Sequence, residues 1–171
     1  RLISRLARLN MTLDTLDDLD RRILEQLQRD ASLTNQALAE KVHASPPTCL
    51  RRVRRLTELG IIAKQVAILD ASKIGNTLTA IIEVTLDVQS AERLQTFEES
   101  MQHESSILQC YRVSTGPDFV LIAQVVDMPA YHALVHRALT ADANVRNVRT
   151  FFSVHRSKFD TRIALDDPRL R

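Results

Sequence analysis

The segment from Ser45 to Gly60 constrains the fold more than any other part of this chain, because it predicts one helix with a defined beginning and end. Ser45 is a favourable N-cap residue, and Pro46 suits the first helical position, where its missing N–H costs no hydrogen bond. Gly60 favours the left-handed backbone conformation with which many helices end. A helix from Pro46 to about Leu59 is therefore predicted.

Two shorter helices are predicted before this one. Acidic residues beginning at Asp17 suit the positive end of the first helix, in which apolar residues recur at helical spacing as far as Leu27. Thr34 caps the second, which ends at about Val42, and His43-Ala44 leaves only a tight turn before the third. Three short helices with a tight turn between the last two are typical of a helix-turn-helix domain.

The third helix carries a cluster of arginines. We expect one apolar face to be buried, namely Cys49, Leu50, Val53, Leu56 and Leu59. The opposite face is predicted to hold Thr48, Arg51, Arg52 and Arg55, with Arg54 at its flank. Neighbouring arginines repel one another unless an anion is present, and arginine pairs bidentately with phosphates and guanine edges. A merely solvated basic face is the alternative, although recognition helices carry their contacts at this position.

Double-stranded DNA is therefore the predicted partner of the third helix. The predicted contact residues are Ser45, Pro46, Thr48, Arg51, Arg52, Arg54 and Arg55. Contacts between arginines and phosphates are expected to supply most of the affinity, and Thr48, Arg51 and Arg52 are the expected contacts to base edges.

From residue 61 onward the pattern changes from helical to extended. Residues 61–69 are predicted to form a wing or linker strand. Strands are then predicted at residues 78–86, 107–114, 119–126 and 145–155, with helices at 91–102 and 129–140. The order βαββαβ is typical of a ferredoxin-like α+β domain, in which two helices cover one face of an antiparallel sheet. The other face needs a cover, and a second copy of the domain is the simplest candidate.

The predicted fold class is thus α+β, with an N-terminal winged helix-turn-helix domain and a C-terminal ferredoxin-like βαββαβ domain. The expected divisions are an N-terminal extension at 1–11, the helix-turn-helix domain at 12–63, a linker strand or hinge at 64–77, the ferredoxin-like domain at 78–156 and a C-terminal tail at 157–171. The extension has a basic amphipathic pattern that an organelle-targeting segment would share, but we expect it to be non-native, with Met11 as the natural start.

Composition supports the same division. The net charge is +2, but residues 1–64 carry 12 basic and 8 acidic side chains, whereas residues 65–171 carry 11 and 13. The basic half suits an anionic polymer. No apolar run approaches the roughly 18 residues of a membrane span. Cys49 and Cys110 have no metal-binding spacing and are predicted to be reduced core residues in a cytoplasm.

The residues quoted above resemble those of the Lrp/AsnC family of transcription regulators, also called leucine-responsive or feast/famine proteins. The similarity extends from about residue 13 to residue 165. Residues 16–24 share the family pattern Leu-Asp-x-x-Asp-x-x-Ile-Leu. Residues 45–56 share Ser-Pro-x-x-Cys-Leu-x-Arg-Val-x-x-Leu, and residues 60–62 share Gly-x-Ile. The resemblance implies a DNA-binding regulator rather than an enzyme.

The resemblance also implies that the second domain binds a small effector, expected to be an amino acid, with no cofactor or metal. The family carries a glycine and then an aspartate between its second and third strands; here these are Gly116 and Asp118, with one residue between them where the family more often has two. Segments containing Tyr111, Met128 and Phe151 come close to this loop in the family and are expected to line the pocket. An aspartate can bind an ammonium group, and turn N–H groups can bind a carboxylate. Alternatively, Asp118 only caps the turn.

The predicted function is a sequence-specific transcription regulator in the cytoplasm of a bacterium or archaeon, associated with the nucleoid and with no membrane partner. Two chains are expected to pair through residues 78–155, and the resemblance implies further assembly into tetramers or octamers. An effector between these domains is expected to change assembly or helix spacing, which is allostery. Two alternatives stay open: an architectural DNA-binding protein without effector control, and an enzyme. For the latter, His132 and His136 lack the glutamate of a zinc-hydrolase motif.

Overall fold

The structure is a computed structural model that describes residues 16–75 and 77–165. The expected extension at 1–11 and the end of the expected tail lie outside the described residues. The described part of the chain forms two compact units. The first comprises the described residues of the ranges 1–68 and 159–171, and the second comprises those of the range 69–158.

Three helices make up most of the first unit: α1 (Asp18–Arg29), α2 (Asn35–Lys41) and α3 (Pro46–Glu58). Each begins at a side chain that accepts a hydrogen bond from the backbone three residues ahead, and these caps are Asp17, Thr34 and Ser45. The apolar core between the helices consists of Ile23, Leu24, Leu38, Ala39, Val42, Cys49 and Leu56. The predicted helices and the burial of Cys49 are confirmed.

Two backbone conformations define the ends of α3. His43 has a φ of 55°, in the left-handed region, and this makes the turn between α2 and α3 tight. The side-chain amide of Asn35 donates to the backbone carbonyl of Pro46 at 2.9 Å, which links the beginning of α2 to the beginning of α3. Gly60 has a φ of 73°, as predicted for a helix end. This arrangement is a helix-turn-helix.

The segment after α3 differs from the prediction. Residues 63–70 are exposed, and they pair with no strand among the described residues. Only Ile61 and Ile62 turn inward, against the core of the first unit. The predicted strand over residues 61–69 is therefore wrong for the single chain. The described part of the first unit contains no strand with which this segment could pair. A short helix, α4 (Ala71–Ile74), follows.

The second unit has the predicted βαββαβ order. Its elements are β1 (Leu78–Leu86), α5 (Ala91–Gln102), β2 (Ile107–Arg112), β3 (Phe119–Val125), α6 (Met128–Val135), a π-helical turn (His136–Thr140) and β4 (Val145–Phe152). The strands form one sheet in the order β2-β3-β1-β4, and all neighbours are antiparallel. This topology confirms the ferredoxin-like α+β fold.

The two faces of the sheet differ in what covers them. Side chains alternate along a strand, so residues two apart share a face. Both helices pack on one face, where the core contains Ala80, Ile82, Val84, Leu86, Phe97, Met101, Phe119, Leu121, Ala123, Val125, Tyr131, Leu134 and Leu139. The opposite face, the open face, includes Ile81, Glu83, Tyr111, Val120, Ile122, Arg149 and Phe151. On it, Ile81, Tyr111 and Phe151 are 37%, 52% and 47% exposed. The described chain leaves this partly apolar face uncovered.

Cys110 lies on the surface, so its prediction as a core residue is wrong. It belongs to β2, whose residues after Ile107 are all exposed. The reason is that β2 is an edge strand with β3 as its only neighbour in the sheet. An apolar sequence in an edge strand is buried only where something covers that edge.

The described part of the expected tail packs on the first unit. The side-chain amide of Gln28 in α1 donates to the carbonyl of Ile163 at 3.1 Å and accepts from its N–H at 2.7 Å. Leu165 packs against the core between the helices. The chain therefore returns to the helix-turn-helix unit after the second unit. Among the described residues, no helix combines the length and the apolar character that crossing a membrane requires.

Candidate nucleic-acid interface

The exposed side of α3 is a narrow stripe formed by Pro47, Arg51, Arg54 and Glu58. Their spacing of three or four residues places them on one side of a helix. Neither Arg51 nor Arg54 forms an ion pair or hydrogen bond with another described residue. These two guanidinium groups can therefore meet a polyanion without first giving up a partner.

Arg52 and Arg55 face inward, which corrects the predicted division of the helix. A terminal nitrogen (Nη1) of Arg52 lies 2.7 Å from Oδ2 of Asp17 and 3.2 Å from Oδ2 of Asp20. Nη1 of Arg55 lies 2.9 Å from that same Asp20 oxygen. Both arginines thus bind α1, and the predicted exposed face is wrong for them because two carboxylates of α1 compete for their charge.

The apolar face of α3 is narrower than predicted. Cys49 and Leu56 are fully buried, whereas Leu50 and Leu59 are 40% and 43% exposed. Arg52 lies beside these two buried residues, on the side of α3 that faces α1. Leu50 instead borders the exposed stripe, where an apolar side chain is available to contact a ligand such as a thymine methyl group.

The partner that turns Arg52 inward is Asp20, whose side chain is 0% exposed. It lies within the apolar stripe of α1, four residues after Leu16 and three before Ile23. A carboxylate at such a position needs a cation or several hydrogen bonds. An aspartate within an apolar stripe was the one sequence signal that some arginines of α3 would pair with a buried carboxylate instead of facing solvent.

The pKa values of Asp17 and Arg52 shift in the directions that favour their charged forms. The pKa of Asp17 is lowered, chiefly because the backbone N–H of Asp20 donates to it; partial burial opposes this, and Arg52 adds to it. For Arg52, burial acts to lower the pKa, but Asp20 and then Asp17 outweigh it, so that the pKa rises above the ordinary value. Both groups are therefore held in their charged forms.

The beginning of α3 offers side chains rather than backbone donors. Pro46 and Pro47 have no N–H, and the N–H of Thr48 is used by Oγ of Ser45 at 3.4 Å. The Ser45 hydroxyl also donates to Oγ1 of Thr48 at 2.9 Å. Ser45, Pro46 and Thr48 thus lie together at the helix start, as predicted, and contacts to an anion there depend on the two hydroxyl groups.

In the second unit, Asp118 makes structural contacts. Its Oδ2 accepts a hydrogen bond from the N–H of Leu86 at 2.7 Å and from the side-chain amide of Gln89 at 3.3 Å. Its N–H donates to the carbonyl of Val84 at 2.9 Å. Gly116 has a φ of 91°, with open space around it. The loop is therefore fastened to the end of β1, while Oδ1 of Asp118 has no hydrogen-bond partner among the described residues.

The five predicted effector residues do not meet in one chain. Tyr111 lies on β2, close in sequence to the loop of Gly116 and Asp118. Met128 begins α6 beyond the far end of β3, a seven-residue strand of roughly 20 Å. Phe151 lies on β4, three strand spacings or about 14 Å from β2. A pocket that uses all five needs more than one protomer.

A groove on the second unit contains none of the five predicted effector residues. A groove of about 400 Å³ lies between α5 and β2, where Met101, Ile107 and Cys110 are among its walls. Among the described residues, no group of three or more histidine, cysteine, aspartate or glutamate side chains could hold a metal ion.

The fold and this interface define a class of protein: a helix-turn-helix DNA-binding protein with a second α/β domain. Comparison with protein families agrees. Residues 16–63 match the family described as winged helix-turn-helix DNA-binding, and residues 79–163 match the Lrp/AsnC ligand binding domain. The chain belongs to the Lrp/AsnC family and is a DNA-binding transcription regulator with a ligand-binding domain.

Named relatives support this assignment. The leucine-responsive regulatory protein of Rhizobium meliloti is 38% identical over 84% of this chain and 92% of its own length. That of Escherichia coli K12 is 33% identical over 88% and 92%. A transcriptional regulator of Neisseria meningitidis, solved as an L-Met complex, is 30% identical, with a TM-score of 0.82 over 89% of this chain and 98% of its own. All three relatives are named as regulators, and the comparisons therefore give no support to the alternative that this chain is an enzyme.

Proposed function

We propose that this regulator binds duplex DNA as a homodimer through the exposed stripe of α3 and that an amino acid bound by its second unit controls this binding. The observation that carries the proposal is that Arg51 and Arg54 are exposed on a capped helix and form no ion pair or hydrogen bond with another described residue. Free guanidinium groups on such a helix suit phosphates and guanine edges.

The predicted DNA contacts take different roles in this proposal. Arg51 and Arg54 contact the duplex directly. Ser45, Pro46 and Thr48 approach it at the beginning of α3, where recognition helices commonly meet base edges. Arg52 and Arg55 are instead held by carboxylates of α1, although the side chain of Arg55 is 35% exposed.

The open face of the sheet supports the homodimer. Phe151, Ile81 and Ile122 lie side by side across β4, β1 and β3, which makes an apolar row. The adjacent row contains an ion pair between Glu83 and Arg149. A second copy of this face would cover both rows. Further assembly into tetramers or octamers belongs to the same proposal, because β2 leaves an unpaired strand edge.

An amino acid is the proposed effector because the second unit belongs to a ligand-binding family and the Neisseria relative was solved with L-Met. The free Oδ1 of Asp118 suits an ammonium group, and the loop through Gly116 exposes backbone groups for a carboxylate. Because Met128 and Phe151 lie far from this loop in one chain, the site is placed between protomers. Its DNA partner locates the protein at the nucleoid, in the cytoplasm of a prokaryote.

Replacing Asp118 with Asn should separate effector binding from folding. The amide keeps an oxygen that accepts from Leu86 but loses the charge that an ammonium group requires. A thermal-shift screen of the common amino acids, starting with L-methionine, identifies the effector on the unaltered protein, because a ligand of the native state raises its stability. Asp118→Asn should then weaken calorimetric binding by roughly 10-fold or more, the worth of a charge-assisted hydrogen bond.

DNA affinity supplies the second readout. The effector should change the affinity of the unaltered protein for a selected duplex and leave that of Asp118→Asn unchanged. Asp142→Asn is the matched control, since Asp142 also accepts from a backbone N–H, that of Asn144, but lies outside the predicted pocket. Normal effector binding by Asp118→Asn would place the pocket elsewhere. If no amino acid binds, the architectural alternative without effector control gains support.

A further inference from the structure

Asp20 is the one charged side chain that is fully buried among the described residues. A buried carboxylate is costly unless charged partners offset its lost hydration. Both of its ionic partners, Arg52 and Arg55, come from the recognition helix. The contact therefore links α1 to α3, the proposed recognition helix, and uses two of the arginines that could otherwise bind DNA.

Asp17 completes the contact. Nη1 of Arg52 lies between the carboxylates of Asp17 and Asp20, at 2.7 and 3.2 Å. Nε of the same arginine is buried and has no hydrogen-bond partner among the described residues. The polar contacts of Arg52 are therefore concentrated at its Nη1, where the two carboxylates lie.

This arrangement divides the four arginines of α3 into two pairs. Arg51 and Arg54 are exposed, whereas the charges of Arg52 and Arg55 are balanced by Asp20 and, for Arg52, also by Asp17. Affinity for any duplex rises with the number of phosphates that a protein neutralises, but phosphate contacts carry no sequence information. Four free arginines would therefore strengthen binding to all DNA and reduce discrimination among sequences.

We propose that Asp20, assisted by Asp17, is a positioning residue for selective DNA recognition. It withholds Arg52 and Arg55 from the duplex and sets the side of α3 that faces the groove, so that Arg51 and Arg54 make the contacts. This inference rests on the proposed function of α3. It differs from a purely stabilising role because it concerns how many charges reach the DNA.

The test replaces Asp20 with Asn in the full chain and measures binding to a random-sequence duplex and to a duplex selected with the unaltered protein. The plot of log affinity against log salt should steepen by about 0.9 for each arginine released to a phosphate, that is, by up to about two per protomer. Affinity for random DNA should rise, and the ratio of selected to random affinity should fall. Asp18→Asn is the matched control: it makes the same change on the same helix, at a side chain that is 95% exposed.

Two further variants keep the test informative if Asp20→Asn destabilises the fold. Asp17→Asn removes the charge of a half-exposed carboxylate whose only ionic partner among the described residues is Arg52. Because Asp20 still holds Arg52 in this variant, the salt dependence should steepen by less than about one per protomer. Combining Asp20→Asn with Arg52→Gln and Arg55→Gln removes the released charges and should return the salt dependence to that of the unaltered protein, even if the melting temperature stays low.

An unchanged or flatter salt dependence for both Asp20→Asn and Asp17→Asn, in folded protein, would overturn the inference and leave only a stabilising contact. The same holds if the triple variant has a flatter dependence than the unaltered protein, since Arg52 and Arg55 would then contact DNA in the native state. The proposed function fails separately, if the unaltered protein shows no preference for any duplex.

Discussion

Replacing both Arg51 and Arg54 with Gln should abolish measurable binding to a selected duplex while leaving the fold intact. The two guanidinium groups are exposed, and their loss removes no ion pair or hydrogen bond among the described residues. Surface changes of this kind usually alter the free energy of unfolding by less than about 0.5 kcal/mol. A good bidentate arginine contact is worth about 1–3 kcal/mol, and a dimer loses four such groups. Affinity should therefore fall by roughly 1000-fold or more.

Fluorescence anisotropy over a series of salt concentrations measures this loss. The log–log salt dependence should flatten by about 0.9 for each phosphate contact removed. Arg22→Gln with Arg29→Gln is the matched control, because it removes two exposed positive charges from α1 instead of α3. Equal losses in the two double variants would show that net charge alone governs binding, and normal binding by the α3 variant would exclude the exposed stripe.

Placing a lysine at Ile81 should prevent formation of the proposed dimer and leave a monomer. Ile81 lies in the middle of the open face, between Phe151 of β4 and Ile122 of β3. It is already 37% exposed, so a lysine can reach water in a single chain by extending its ammonium group past its neighbours. In a dimer that covers this face, each chain would bury an ammonium group in an apolar row, at a cost of several kcal/mol.

Light scattering coupled to size-exclusion chromatography gives the mass of the Ile81→Lys variant directly. The expected mass is that of one chain, and affinity for a two-half-site duplex should fall by roughly 100-fold or more, because linked half-site binding is lost. Val88→Lys changes an exposed apolar residue outside the sheet and should keep the dimer. A dimeric Ile81→Lys protein with normal circular dichroism would show that the chains pair through another surface.

Short-range chemistry explains what could be predicted from the sequence. The acidic start of α1, the caps at Thr34 and Ser45 and the helix end at Gly60 each depend on residues within three or four positions. The strands of the second unit were predicted for a similar reason, since alternation and β-branched side chains act over one strand length. Their predicted ends overran the structure by one to three residues, because apolar residues continue beyond the last ladder contact.

Long-range contacts explain what could not be predicted. The inward position of Arg52 depends on Asp20, 32 residues earlier, which periodicity within α3 does not detect. Cys110 is apolar by sequence but lies on an edge strand, and the order of strands is a property of the whole sheet. Likewise, the effector residues are spread over both edges and both ends of the sheet. In the proposed function these residues form a site only through contacts between chains, which the sequence pattern of one chain does not specify.

Site-specific photo-crosslinking can test directly whether the exposed stripe of α3 lies against the duplex. A benzophenone amino acid at position 47, in the exposed stripe at the beginning of α3, should crosslink to a selected duplex and do so less with random DNA. The same group at position 95, exposed on α5, should not crosslink. Crosslinks from position 95 with none from position 47, in protein that binds DNA normally, would contradict the assignment of α3 as the recognition helix.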